Sequence, residues 1–123
     1  MILLYNAQII NEGRQWLGYV VIDGENIALV GEGFPDEHVR NMCSEQHDLN
    51  GKYLLPGAID DQVHFRDPGL THKADIATES AAAVAGGVTS FMDMPNTNPQ
   101  TVTQDELESK YERAAAVCHA NYS

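Results

Sequence analysis

The stretch PGAIDDQVHFRDPG, residues 56–69, gathers the side chains with the most chemistry to offer. If it is a strand, alternate residues share a face, so Asp60, Gln62, His64 and Arg66 point one way and Ile59, Val63 and Phe65 the other. The second set is apolar and suited to packing against helices. The first presents a carboxylate, an amide, an imidazole and a guanidinium in a row, too many polar groups for an inert interior unless they serve a site. At the C-terminal end of the first strand of a parallel barrel, such a row is where catalytic and metal-binding groups sit. A second polar cluster, MPNTNP at residues 94–99, places Asn96 in a Pro-bracketed loop after the next strand.

Each of these side chains also has an ordinary structural use. A histidine taken alone is more often a hydrogen-bonded core residue than a ligand, and Gln62 can be a hydrogen-bonding filler. Arg66 can pair with Asp67 or Asp93, and Asn96 can cap the turn around it, since Asn next to Pro is common turn chemistry. His38, His47, His72 and His119 lie in polar stretches or at a helix end and are assigned no metal role. Lys73 is expected to help hold the loop after the motif. The charges from Asp105 to Arg113 read as a solvated helix face with a Glu106–Lys110 pair at i, i+4.

The elements needed to position these groups are visible in the pattern. Residues 2 to about 31 contain ILLYNAQII, WLGYVVI and NIALV, short β-branched and aromatic runs separated by Asn11-Glu12-Gly13 and Asp23-Gly24-Glu25-Asn26. They predict a small antiparallel meander. Gly31–Asn50 reads as a polar connection with a short helical turn near Asp36–Met42. From Lys52 the pattern alternates. YLLPGAIDDQVHF is a β-run entered through Pro56-Gly57, and Asp75–Ala85 is a helix with Ile76, Ser80, Ala83 and Val84 on one face, stopped by Gly86-Gly87. VTSFMDM is apolar on both faces, as a buried parallel strand should be. Thr103 and Glu106 form a capping box for a second helix whose inner stripe is Leu107, Tyr111, Ala114 and Cys118, and a third strand opens near residue 119.

Strand starts near 58, 88 and 119 repeat at the size of a βαβ unit. A closed (β/α)8 barrel takes about 250 residues, so 123 residues with two units and a stub read as the front end of a larger protein, not expected to be active alone. Acidic residues outnumber basic ones 18 to 7, for a net charge of −11, which repels phosphate backbones and anionic membranes and leaves small metabolites as ligands. An apolar fraction of 43% suits a packed core. Cys43 and Cys118 lie far apart without CxxC spacing, so they read as free thiols in a reducing cytosol. The N-terminal MILLYNAQII has no basic region and is interrupted by Asn6 and Gln8, so it reads as neither a signal peptide nor a membrane span.

The string from Asp60 to Gly69 resembles the first-strand motif of the dihydroorotases, metal-dependent cyclic amidohydrolases in which an aspartate precedes His-x-His-x-Arg, an acidic residue, Pro and Gly. Residues 81–99, AAAVAGGVTSFMDMPNTNP, resemble that family's second unit with its Gly-Gly turn and Met-Pro-Asn-Thr sequence. Dihydropyrimidinases and hydantoinases share the layout but lack the arginine, and allantoinases carry Asn in its place, so Arg66 favours the dihydroorotases. The resemblance implies an α/β fold. Residues 1–54 would be strands of a small β-sandwich with a connection, and residues 55–123 the first two βα units of a TIM barrel with the start of its third strand.

The activity implied is the reversible hydrolysis of dihydroorotate to N-carbamoyl-L-aspartate in pyrimidine biosynthesis. It would be zinc-dependent and cytoplasmic, with a small-molecule substrate, no nucleic-acid or membrane partner, and a homo-oligomer when full length. His64 matches the second metal-binding histidine, Arg66 the residue that grips the substrate carboxylate, and Asn96 an asparagine that also holds the substrate. Asp60 would sit beneath the metal and orient its ligands. Gln62 stands where the family has its first histidine, and a neutral amide is a poorer zinc ligand than imidazole. Asp61 points to the other strand face and does not substitute for it. Two readings stay open: an enzyme with an altered metal centre, or a non-catalytic dihydroorotase-like subunit. Another cyclic amidohydrolase of hydantoinase or allantoinase type is a third. The family's general base and remaining ligands come from later strands, so no catalytic residue is assigned within this chain.

Overall fold

The computed structural model describes residues 1–123 as two compact units, Met1–Pro56 and Gly57–Ser123. In the first, β1 (Ile2–Asn11), β2 (Arg14–Asp23) and β3 (Asn26–Glu32) pair antiparallel in sequence order, as the meander predicts, through two-residue turns at Glu12–Gly13 and Gly24–Glu25. Between the pairs Leu4↔Val20 and Ala7↔Gly18, β1 advances three residues while β2 advances two. Asn6 occupies this bulge at φ 56°, its side-chain amide donating to Asp48 Oδ1 at 2.7 Å. One extra residue inverts the alternation of faces. Leu3 therefore packs with Val21, Val39 and Cys43, whereas Ala7 and Ile9 join Val20 in a separate cluster. Val39 comes from α1 (Glu37–Met42), which Asp36 caps by accepting from the Val39 N–H.

The expected connection also holds a strand. β4 (Glu45–Asp48) runs parallel to the start of β1, and β5 (Tyr53–Leu54) parallel to its end. All four residues of β4, Glu-Gln-His-Asp, are exposed, so no apolar periodicity marks it; its gain is backbone pairing along the edge of β1. Asp48 then accepts from the Asn50 N–H at 2.8 Å, and that bond, with the Asn6 amide, holds its carboxyl below the usual carboxylate range.

In the second unit β6 (Ala58–Val63), α2 (Ile76–Ala85), β7 (Val88–Asp93), α3 (Gln104–Val117) and β8 (Asn121–Tyr122) alternate, giving a parallel sheet in the order β6-β7-β8. The Asp75 carboxylate caps α2 by accepting from the Thr78 N–H at 2.8 Å, which lowers its pKa, and Gly87 at φ 91° turns the chain out of the helix. Thr103 caps α3 by accepting from the Glu106 N–H, which is one half of the expected capping box; the Glu106 carboxylate does not return the bond to the Thr103 N–H. Phe65 packs on Phe91, ring centroids 4.5 Å apart, with Ile76 of α2 and Ala114 of α3 completing the core.

The predicted stripes are buried only in part. Ile76, Ser80 and Ala114 are inside, but Val84, Leu107 and Tyr111 are 42%, 45% and 38% exposed. Three strands spaced about 4.8 Å apart make a sheet about as wide as one helix, too narrow to cover the full faces of two. No helix is long and apolar enough to cross a membrane.

Candidate active site

β6 stops at Val63, so the alternation expected through Arg66 does not continue that far. A second bulge lies within the motif: Asp60 pairs opposite Phe91 and Val63 opposite Asp93, three residues of β6 against two of β7. Asp60 thus shares the register face of Val63 and Phe91 rather than that of Gln62. Its carboxylate accepts from the Gln62 N–H at 3.1 Å, a local turn that accommodates the bulge. Ile59, expected against the helices, pairs opposite Ser90 and is 70% exposed. Val63 and Phe65 do pack into the core, as their spacing predicts.

Beyond the C-terminal ends of β6 and β7 the two following loops meet. His64 and Asn96, 32 positions apart, join through His64 Nδ1–H donating to Asn96 Oδ1 at 2.9 Å. Main-chain bonds tie the same loops: Met94 N–H to Val63 O at 3.0 Å and Asn98 N–H to Pro68 O at 3.1 Å. Buried Thr97 holds the MPNTNP turn by donating to Pro99 O at 2.8 Å. Gly69 lets the loops touch, since it adopts φ 80° and a Cβ there would lie 1.8 Å from Asn98 O. Gly69→Ala combines left-handed strain with a backbone clash and is expected to destabilise the full-length protein by about 2–4 kcal/mol. Denaturant midpoints check this; an unchanged midpoint contradicts the close approach.

Arg66 lies between these anchors at φ 64°, a conformation that costs a non-glycine residue roughly 1–2 kcal/mol and persists where the surroundings enforce it. On one side the Phe65 N–H donates to Asp93 Oδ1 at 3.0 Å, and Asp93 Oδ2 pairs with Lys110 Nζ at 2.8 Å. On the other, Asp67 is 1% exposed, accepts from the Ile76 N–H at 3.4 Å and pairs with Arg113 Nε at 2.5 Å. The adjoining Asp67 carboxylate raises the Arg113 pKa above its ordinary value. Both carboxylates that offered Arg66 a structural partner are therefore taken by α3, and no ion pair of the structure includes Arg66. Lys110, expected on a solvated face, instead turns inward, while Arg113 stays half exposed, as expected of that face, and reaches Asp67 from there. Lys110 also donates to Met94 O at 3.1 Å in place of the Glu106 pairing.

These four residues are what sequence reasoning undervalued. The available signal was two cations three positions apart on an otherwise acidic helix, facing an aspartate at the end of a buried strand and another directly after Arg66.

With Nδ1–H committed to Asn96, His64 presents Nε2 as its lone-pair donor. Gln62 is exposed and Asp60 is engaged with the backbone, and no three His, Cys, Asp or Glu side chains converge. A structural or catalytic zinc takes at least three protein donors, so the residues of this chain do not by themselves fit one.

The Dihydro-orotase-like family model matches residues 51–122. A dihydroorotase of Lactobacillus leichmannii is 39% identical over 120 residues, covering 98% of this chain and 26% of the relative. One from Halobacterium salinarum is 46% identical over 96 residues, covering 77% and 21%. The solved L-hydantoinase (dihydropyrimidinase) of Arthrobacter aurescens superposes with a TM-score of 0.83 over 99% of this chain and 26% of its own, at 24% identity, a likeness of fold. The chain spans about a quarter of the length of the curated relatives it matches. With motif, fold and family model in agreement, the chain belongs to the dihydro-orotase-like family.

Proposed function

We propose that the full-length protein is a dihydroorotase, a cyclic amidohydrolase that interconverts dihydroorotate and N-carbamoyl-L-aspartate. The observation that carries this is the unpaired Arg66 guanidinium, at the C-terminal end of a parallel sheet and two residues from His64, with Asp67 and Asp93 occupied elsewhere. Its planar fork matches a carboxylate, and a ring substrate bearing one is what distinguishes dihydroorotate from simple hydantoins and dihydropyrimidines. Asn96, with Oδ1 on His64, keeps its NH2 group to donate to the same substrate. Holding the carboxylate at a fixed position orients the scissile ring amide, which converts binding into rate.

On this reading Gly57–Ser123 opens a (β/α)8 barrel and the first unit contributes strands of a β-sandwich. Zinc is the proposed metal, with His64 Nε2 as one donor and the others supplied by the length of the relatives that this chain does not span. The net charge of −11 supports a small-molecule enzyme over a nucleic-acid binder, the free Cys43 and Cys118 suit a cytoplasmic location, and a homo-oligomer is the proposed assembly. The test is formation of N-carbamoyl-L-aspartate from dihydroorotate by the full-length protein; absence of turnover with metal supplied contradicts it.

Gln62 favours one second reading, a non-catalytic subunit with a depleted metal centre. The two are separated by metal content. If position 62 borders the metal, Gln62→His is expected to raise bound zinc per chain after equal dialysis, because imidazole is the stronger donor. Unchanged stoichiometry places residue 62 away from the metal.

A further inference from the structure

We propose that Arg113 is a positioning residue for substrate specificity: by occupying Asp67 it keeps the neighbouring Arg66 guanidinium free for the carboxylate of the substrate. This deepens the dihydroorotase reading and rests on it. Asp67 is buried and directly follows Arg66 in the chain, which makes it a near competitor for that guanidinium. Burial also makes an unpartnered carboxylate costly, so Asp67 must take a cation from somewhere. Arg113 supplies it from α3, at 2.5 Å, while its own side chain stays half exposed. One turn earlier on α3, Lys110 does the same for Asp93, the other carboxylate near the motif. Residues 65 and 67 are thereby fixed on both sides of Arg66, whose left-handed backbone leaves it outside both pairs.

Removing the Arg113 charge frees Asp67 to draw Arg66 away from the substrate. A scaffold role alone makes a different prediction, because a disturbed loop would weaken a ring substrate without the carboxylate, such as dihydrouracil, as much as dihydroorotate. The experiment uses the full-length protein and steady-state kinetics on both substrates, and an equal rise in KM for the two overturns the proposal. Arg113→Met is expected to raise KM about tenfold, the weight of one charge-assisted hydrogen bond, with kcat held within about twofold, because Arg66 itself is intact and saturating substrate draws it back from Asp67. Adding Asp67→Asn removes the competing charge but keeps an acceptor for the Ile76 N–H, and is expected to return KM to within about twofold of wild type. Should Arg113→Met fail to fold, Arg113→Gln keeps a polar donor without the charge and carries the same expectation. An unchanged KM, a loss confined to kcat, or no recovery with Asp67→Asn overturns the proposal and leaves the dihydroorotase reading standing. A wild type that does not open dihydroorotate overturns both.

Discussion

Arg66→Lys is expected to lower kcat/KM for dihydroorotate by about tenfold to a hundredfold in the full-length enzyme, although the charge is kept. An ammonium is a point charge and cannot make the planar two-pronged contact, and a lost charge-assisted hydrogen bond costs roughly 1.5–3 kcal/mol. Part of the loss should fall on kcat, since a displaced carboxylate moves the scissile amide relative to the groups that act on it. The backbone gives no offsetting change: lysine at φ 64° is as strained as arginine, so stability should hardly change. The control is a ring substrate without the carboxylate, which gives residue 66 nothing to grip. Equal losses on both substrates would make Arg66 a structural residue.

Lys110→Met is expected to destabilise the protein by about 3–5 kcal/mol, the range for removing one partner of a buried ion pair. Lys110 and Asp93 side chains are only 10% and 4% exposed, so Asp93 would keep a charge with no counter-ion and little water. The Phe65 N–H would still donate to Asp93 Oδ1, which limits the loss without cancelling it. Lys110→Met with Asp93→Asn should recover most of it, because Asn retains the acceptor for Phe65 and sheds the charge. Denaturant unfolding decides the matter. A loss below about 1 kcal/mol, as at an exposed pair, contradicts the buried geometry.

The distinction between these two arginine and lysine roles was only partly legible in the residues. Strand, helix and turn assignments followed from periodicity and end signals: the cap at Thr103 and the stop at Gly86-Gly87 both depend on neighbours close in sequence. What escaped was set by register and by distant partners. A single extra residue at Asn6 turns the odd positions of β1 from one face to the other, and a bulge after Asp60 separates it from Gln62, and neither changes the hydrophobic pattern enough to announce itself. β4 has no apolar residue at all and exists through edge pairing. Lys110 looked like half of an i, i+4 pair with Glu106. It turns inward because the Asp93 side chain, buried at the end of β7, gains far more from a counter-ion than half-buried Glu106 does. The candidate site residues themselves stood out by type and spacing, and the structure adds the His64–Asn96 bond that joins the two loops.

The most direct measurement is the ratio of kcat/KM for dihydroorotate to that for dihydrouracil, the same ring without its carboxylate, with wild-type full-length protein and metal supplied. A site built around a free Arg66 fork, with Asn96 donating beside it, predicts a preference for dihydroorotate of at least about a hundredfold, because the ring lacking the carboxylate leaves both groups unpaired. A ratio near one, or a preference for dihydrouracil, would contradict the assignment of Arg66 to a substrate carboxylate and with it the account of the site.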